Sequence, residues 1–191
     1  MSTQPKSFLT PEQYLEIERK AEFKSEYYRG EMFAMAGASL AHISIVGNLT
    51  RDLGVQVRPG PCRVYSNDMR VCTGSSGLYT YPDVVAVCGQ PRLLDGATAT
   101  LLNPTVIIEV LSPSNEGYDR GLKFELYQSI ESLSEYVLVA QDRMRVDLFT
   151  RQSDGNWLFR SFSRAEDSVE MQSLGCRLTL ADIYEKVDFA A

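Results

Sequence analysis

Two acids stand inside the most apolar runs of this chain. Asp83 opens Pro82-Asp83-Val84-Val85-Ala86-Val87, and Glu109 sits within Val106-Ile107-Ile108-Glu109-Val110-Leu111. Runs that are apolar along nearly their whole length read as strands covered on both faces. An ionised carboxylate in such a strand is costly unless it is paired, hydrogen-bonded or bound to a metal. Two carboxylates meeting at one end of neighbouring strands make a hard oxygen site suited to Mg2+ or Mn2+. The same residues are equally readable as a buried ion pair with an arginine, or as a strand end that leaves Asp83 in water.

After Glu109, Leu111-Ser112-Pro113-Ser114-Asn115 turns the chain from strand into helix. The spacing predicts a helix over 117–130, with Asp119, Lys123 and Tyr127 on one face and Leu122, Leu126 and Ile130 on the adjoining core stripe. Lys123 can form a surface pair with Asp119 worth a few tenths of a kcal/mol, or reach over the sheet toward Glu109. His42 is the one histidine. It lies near the start of an amphipathic helix and reads as a surface or cap-region residue, or else as a phosphate contact or a shell residue near Glu31. Ser112 and Ser114 read as turn and cap residues rather than nucleophiles. Cys62, Cys72, Cys88 and Cys176 include no CxxC pair, so no zinc cluster is expected, and reduced, buried thiols in a cytoplasmic protein are.

The elements that must position these residues follow from pattern. Thr10-Pro11-Glu12-Gln13 carries a capping box and predicts a short helix ending near Glu22. Tyr27 to Met35 reads as strand with a turn at Gly30, and Ser39 to Val57 as helix, stopped by Arg58-Pro59-Gly60-Pro61. Further strands are expected at 62–65, 69–72, 82–87, 105–111, 136–140, 145–150 and 157–162, with Asp154-Gly155-Asn156 as a hairpin turn and a short helix over 180–187. Gly74-Ser75-Ser76-Gly77 lacks the lysine and spacing of a phosphate loop and reads as a hairpin loop. The expectation is one α/β (α+β) domain over 1–191, built on one mixed central sheet, with 1–8 as a flexible arm.

With 191 residues and 44% apolar composition, the chain can bury a core without disulfide or metal staples. No run approaches the ~20 apolar residues of a membrane span. A net charge of −6 argues against non-specific coating of nucleic acid. Residues 51–70 and 141–164 each carry a small arginine excess, which reads as ordinary solvated surface.

The combination Pro82-Asp83, then Glu109-Val110-Leu111-Ser112-Pro113-Ser114, then Tyr118-Asp119-Arg120-Gly121-Leu122-Lys123-Phe124, Tyr127 and Glu135-Tyr136-Val137-Leu138-Val139 resembles the Uma2 (DUF820) family, across roughly residues 8–187. Gly30-Glu31 and Ala38-x-x-x-His42 match its early segment. The resemblance implies a restriction-endonuclease-like fold of the PD-(D/E)xK nuclease superfamily and Mg2+-dependent hydrolysis of DNA. It implies metal ligation by Asp83, Glu109 and the Val110 carbonyl, with Glu31 completing the shell or holding a water, where pattern alone reads Glu31 equally as a solvent-facing strand acid. The usual lysine position, two residues after Glu109, is Leu111 here, and the resemblance implies that Lys123 on the next helix takes the lysine role. A homodimer would suit cleavage of both strands. The rivals are a non-cleaving DNA-binding or assembly subunit, and an RNA or nucleotide phosphoesterase.

Overall fold

The strand order is dictated by which runs can tolerate burial on both faces. In the computed structural model, which describes residues 8–35, 37–74, 77–95 and 98–189, the three most apolar runs lie at the centre of one sheet. They are β6 (Val84–Cys88), β9 (Val106–Leu111) and β10 (Glu135–Ala140), in the order β12-β11-β10-β9-β6-β3. The flanking strands are β3 (Cys62–Ser66), β11 (Val146–Arg151) and β12 (Trp157–Phe162). β9 and β10 run parallel, joined by a helical crossover, while β6 runs antiparallel to β9, so the sheet is mixed.

One face of this sheet is covered by α2 (Leu40–Val57). Ser39 caps it by accepting from the His42 N–H, and Ile45, Val46, Leu49, Leu53 and Val57 bury against Val84, Ala86, Ile108 and Val137. Fully burying an aliphatic side chain of this kind contributes about 1.5–3 kcal/mol. The hairpin β13 (Ser168–Met171) and β14 (Cys176–Thr179) and the helical turn Leu180–Ile183 complete that face.

The other face meets the crossover helix and a second sheet, where a single sheet was expected. Its order is β2-β1-β5-β4-β8-β7. It comprises β1 (Ser25–Tyr28), β2 (Glu31–Ala34), β4 (Arg70–Cys72), β5 (Tyr79–Thr80), β7 (Leu93–Asp95) and β8 (Thr98–Leu101). Val71, Leu78 and Leu101 of this layer bury against Val85, Val87, Ile107 and Leu138 of the first sheet. These strands are two to four residues long and leave too little periodicity to show their partners. Behind them lies α1 (Pro11–Glu18), where Tyr14 stacks on Tyr27 and the Thr10–Gln13 capping box forms as expected. α1 stops at Glu18, short of the expected Glu22. The β1–β2 turn places Arg29 and Gly30 at positive φ, and a Cβ on Gly30 would come within 2.6 Å of Phe8.

Three expectations change. Cys62 and Cys88 face each other in the β3–β6 register and are joined by a disulfide, while Cys72 and Cys176 remain buried thiols. The crossover helix, expected as regular helix over 117–130, is an α-turn Glu116–Tyr118, a π-turn Asp119–Lys123 and an α-turn Phe124–Tyr127. Leu122 points outward at 41% exposure, while Leu126 and Ile130 are buried as expected. A π-turn takes one more residue per turn than an α-turn, which rotates Leu122 away from the sheet and turns Asp119 and Lys123 inward. Of the expected arm, residues 1–7 lie outside the described residues, as do Ser75 and Ser76 of the expected hairpin loop. Among the described residues no helix is long and apolar enough to cross a membrane.

Candidate active site

The β6–β9 register pairs Val84 with Ile108, which sets Asp83 opposite Glu109 on the next rung. Side chains alternate across a sheet, so Asp83 and Glu109 share the face of Val85, Ile107 and Leu111, the face beneath the crossover helix. Asp83 is fixed from two sides. Its Oδ2 accepts the Val110 N–H at 2.7 Å, and its Oδ1 lies 2.9 Å from His42 Nε2. His42, expected as a cap-region residue or as a contact near Glu31, is delivered by the first turn of α2 to Asp83. Val110, expected to offer its carbonyl, enters the described contacts through its N–H.

Glu109 is 4% exposed and accepts from the Tyr127 hydroxyl at 2.8 Å. Lys123 Nζ lies 2.9 Å from Glu109 Oε1, 3.2 Å from Glu26 Oε1 and 3.4 Å from Asp119 Oδ1. One ammonium therefore serves three carboxylates. Lys123 reaches over the sheet rather than pairing at the surface, because the π-turn aims it inward. Burial works against its charge, but the Glu109, Glu26 and Asp119 carboxylates outweigh that and hold its pKa well above the ordinary lysine range. Burial pushes the Glu109 carboxyl up to about 8, against the pull of Lys123, and the neighbouring Asp119 and Asp83 charges add to the rise. Burial likewise raises Asp119 to about 6.

Glu26 of β1 was missed by sequence reasoning, which singled out Glu31. In the β1–β2 register Glu26 pairs with Phe33 and Glu31 with Tyr28, so both acids lie on one face of the hairpin, with Glu31 nearer the turn. It is Glu26 that ion-pairs with Lys123, and Thr80 donates its hydroxyl to it. The alternation of Ser25-Glu26-Tyr27-Tyr28 was the available signal, but it does not say which strand face meets the first sheet. Asp119, read as the lysine's helical partner, is 1% exposed, and neither carboxylate oxygen has a hydrogen-bond partner.

A divalent cation fits this donor set chemically. Three carboxylates meet the Lys123 ammonium, Asp83 with His42 lies on the neighbouring strand of the same face, and Asp119 Oδ2 has no hydrogen-bond partner. The set is not preassembled, since among the described residues no three His, Cys, Asp or Glu side chains stand together in ligating geometry. Asp83 already holds His42 and Val110, and Glu109 holds Lys123 and Tyr127, so an entering cation competes with those contacts.

The same architecture recurs in known proteins. The family model Uma2, described as "Putative restriction endonuclease", matches residues 11–181. Two proteins of Synechocystis sp. (strain ATCC 27184 / PCC 6803 / Kazusa), "Uncharacterized protein slr1290" and "Uncharacterized protein sll1609", are each 35% identical to this chain. The first alignment covers 95% of this chain and 94% of the relative, and the second covers 85% and 92%. A crystal structure of "a putative nuclease belonging to DUF820" from Anabaena variabilis ATCC 29413 superposes with a TM-score of 0.75 at 21% identity, covering 92% of this chain and 97% of that one.

Proposed function

The chain belongs to the Uma2 family, and on that premise we propose that it is a metal-dependent endonuclease that hydrolyses DNA phosphodiester bonds. One observation carries the reading: Asp83 and Glu109 stand on one rung with the Lys123 ammonium 2.9 Å from Glu109. Asp83 and Glu109 would hold Mg2+ or Mn2+, with the Val110 carbonyl and Glu31 as further oxygens of its shell. Such an ion, when bound, polarises a phosphoryl oxygen and lowers the pKa of the attacking water.

The chain's own groups do the rest. Lys123 supplies fixed positive charge where negative charge grows on the pentacoordinate phosphate. Glu26 and Asp119 keep that ammonium charged and in place. Tyr127 orients Glu109, and the Val110 N–H with His42 orients Asp83. A charged lysine held by the buried Glu109 and Asp119 and the half-buried Glu26, beside Asp83, favours the cleaving reading over a non-cleaving subunit.

The test is cleavage of plasmid DNA with Mg2+ or Mn2+. Asp83→Ala and Glu109→Ala are expected to abolish it, and Glu109→Ala also to lower the melt, since it takes a buried partner from Lys123 and Tyr127. Lys123→Ala is expected to lose cleavage while retaining metal binding by calorimetry. A parent protein that leaves DNA uncut but degrades RNA or nucleotides would move the substrate class. One that cuts none of these with either metal would overturn the nuclease reading.

A further inference from the structure

The first sheet is open along β12, and this edge is built unlike the others. β12 is six residues long, and its pairing with β11 runs without a bulge, from Trp157 opposite Arg151 to Phe162 opposite Val146. The other edge strands are shorter: β3 has five residues, β2 four and β7 three, with an irregular register at β7. Proteins normally blunt a sheet edge with proline, lysine, a bulge or a covering element. Trp157-Leu158-Phe159-Arg160-Ser161-Phe162 carries neither proline nor lysine. Leu158 and Phe159 are each 49% exposed, on opposite faces of the strand.

The phase of the hydrogen bonds fixes which groups this edge offers. The Gln152 N–H donates to the Asn156 carbonyl at 2.7 Å, while the Ala140 N–H donates to the Arg145 carbonyl and the Arg151 N–H to the Ser134 carbonyl. Bonded pairs alternate with unbonded ones along an antiparallel ladder. The odd-numbered residues of β11 therefore bond to β10 and the even-numbered ones to β12, where Leu158, Arg160 and Phe162 answer them. The N–H and C=O groups of Trp157, Phe159 and Ser161 point away from the sheet, and among the described residues none of them has a hydrogen-bond partner.

This row is self-complementary when two copies meet antiparallel about Phe159. Trp157 then pairs with the partner's Ser161, Phe159 with the partner's Phe159, and Ser161 with the partner's Trp157, each pair exchanging N–H and C=O bonds. Phe159 already packs on Phe149, with ring centroids 5.1 Å apart, so the facing rings prolong an aromatic run that reaches back to Phe124. On the other face Leu158 meets the aliphatic stem of the partner's Arg160. A register centred on Arg160 would set two guanidinium groups against each other, and like charges directly opposite are destabilising. One centred on Leu158 would leave Ser161 opposite the partner's Gly155, outside the strand. Centred on Phe159, the ladder carries the exposed Asp154 of the turn toward the partner's Arg164.

We propose that β12 pairs antiparallel with β12 of a second copy of this chain, in the register centred on Phe159, joining the two first sheets into one across a twofold axis. The interface uses neither metal nor substrate, so it stands independently of the nuclease reading.

The test is the mass of the full chain by sedimentation velocity, from about 1 to 100 µM. The parent is expected at twice the chain mass at the upper end of that range. Phe159→Lys sets like charges across the twofold axis and is expected to stay at the chain mass. Phe159→Pro is expected to do the same, because it removes an outward N–H while the bonds to β11 remain. Val55→Lys, at an exposed apolar residue of α2, is expected to dimerise like the parent. Oxidative crosslinking reads the register. Cα atoms of a hydrogen-bonded pair lie about 5.5 Å apart, within disulfide reach, so Phe159→Cys is expected to give a covalent dimer and Leu158→Cys is not. A parent at the chain mass throughout the range overturns the proposal without any variant. A folded Phe159→Lys that still dimerises overturns it too, and crosslinking through Leu158→Cys in place of Phe159→Cys overturns the register.

Discussion

At Lys123 and Glu109 the buried charges fix how the site responds to pH. Glu109 carries a pKa of about 8 where an ordinary glutamate lies near 4.5. A group whose folded pKa is raised contributes stability that is fully present below its unfolded pKa and lost as pH rises through the folded one. The metal-free protein is therefore expected to melt several degrees lower at pH 8.5 than at pH 5.5, and Asp119, raised to about 6, acts in the same direction. Lys123 stays charged throughout this window and adds no slope to it. Thermal melts in chelator across this range check the sign, and a melt that rises steadily with pH would contradict it. Glu109→Gln should flatten the curve. Divalent affinity should rise with pH over the same interval, because ligation requires the deprotonated carboxylate.

The crossover helix is pinned to the sheet by charge at two points along one rung. Glu109, Leu138, Asp147 and Ser161 are cross-strand partners on β9 to β12 and face the same way. Lys123 comes down on Glu109, and Arg120 reaches Asp147 at 2.7 Å. Asp147 is fully buried and also receives Arg145 and the Ser161 hydroxyl. Burial would raise its pKa, but the bonds from Ser161, Arg120 and Arg145 hold it below the usual aspartate range. Its contribution is thus present above that range and lost only as pH falls below it. Asp147→Ala strips a hydrogen-bonded charge from two partly exposed arginines, at a cost of about 1.5–3 kcal/mol. It should accordingly lower the melting temperature by roughly 3–12 °C. It should also reduce cleavage, although Asp147 makes none of the contacts at Asp83 and Glu109, because the π-turn that aims Lys123 loses its second anchor. An unchanged melt would show that Lys123 on Glu109, with Leu126, Tyr127 and Ile130, holds the helix without the Asp147 anchor.

Over the whole molecule, two six-stranded layers enclose the buried charge cluster: the first sheet supplies Asp83 and Glu109 and the second supplies Glu26. Closure of this assembly is helped at its open flank by the Cys62–Cys88 bridge, which ties the edge strand β3 to β6. The bridge closes a loop of 26 residues. A crosslink of that span restricts the unfolded chain by about 3.5 kcal/mol. Reduction, or Cys88→Ser, should lower the melting temperature by roughly 6–12 °C. Identical melts with and without reductant would show that the bridge contributes nothing.

Much of this was written in local pattern. The two continuous apolar runs marked the central strands, and the cost of a carboxylate inside them marked Asp83 and Glu109. The apolar spacing of Leu40, Ile43, Val46, Leu49 and Leu53 marked α2, although Leu40 and Ile43 face solvent in the fold, and the Ser112–Asn115 turn announced the helix carrying Lys123. These are short-range signals, each readable within one turn or one strand. What the sequence could not determine were relations between distant segments. Glu26, not Glu31, meets Lys123 because of the hairpin face that packs inward, and a four-residue alternation does not specify that face. Leu122 points out and Asp119 in because a π-turn, invisible to a 3.6-residue period, shifts the phase of the helix. The division of strands between two sheets and the meeting of Cys62 with Cys88 depend on pairings that only the folded chain selects, since a strand's pattern shows that it pairs but not with which partner.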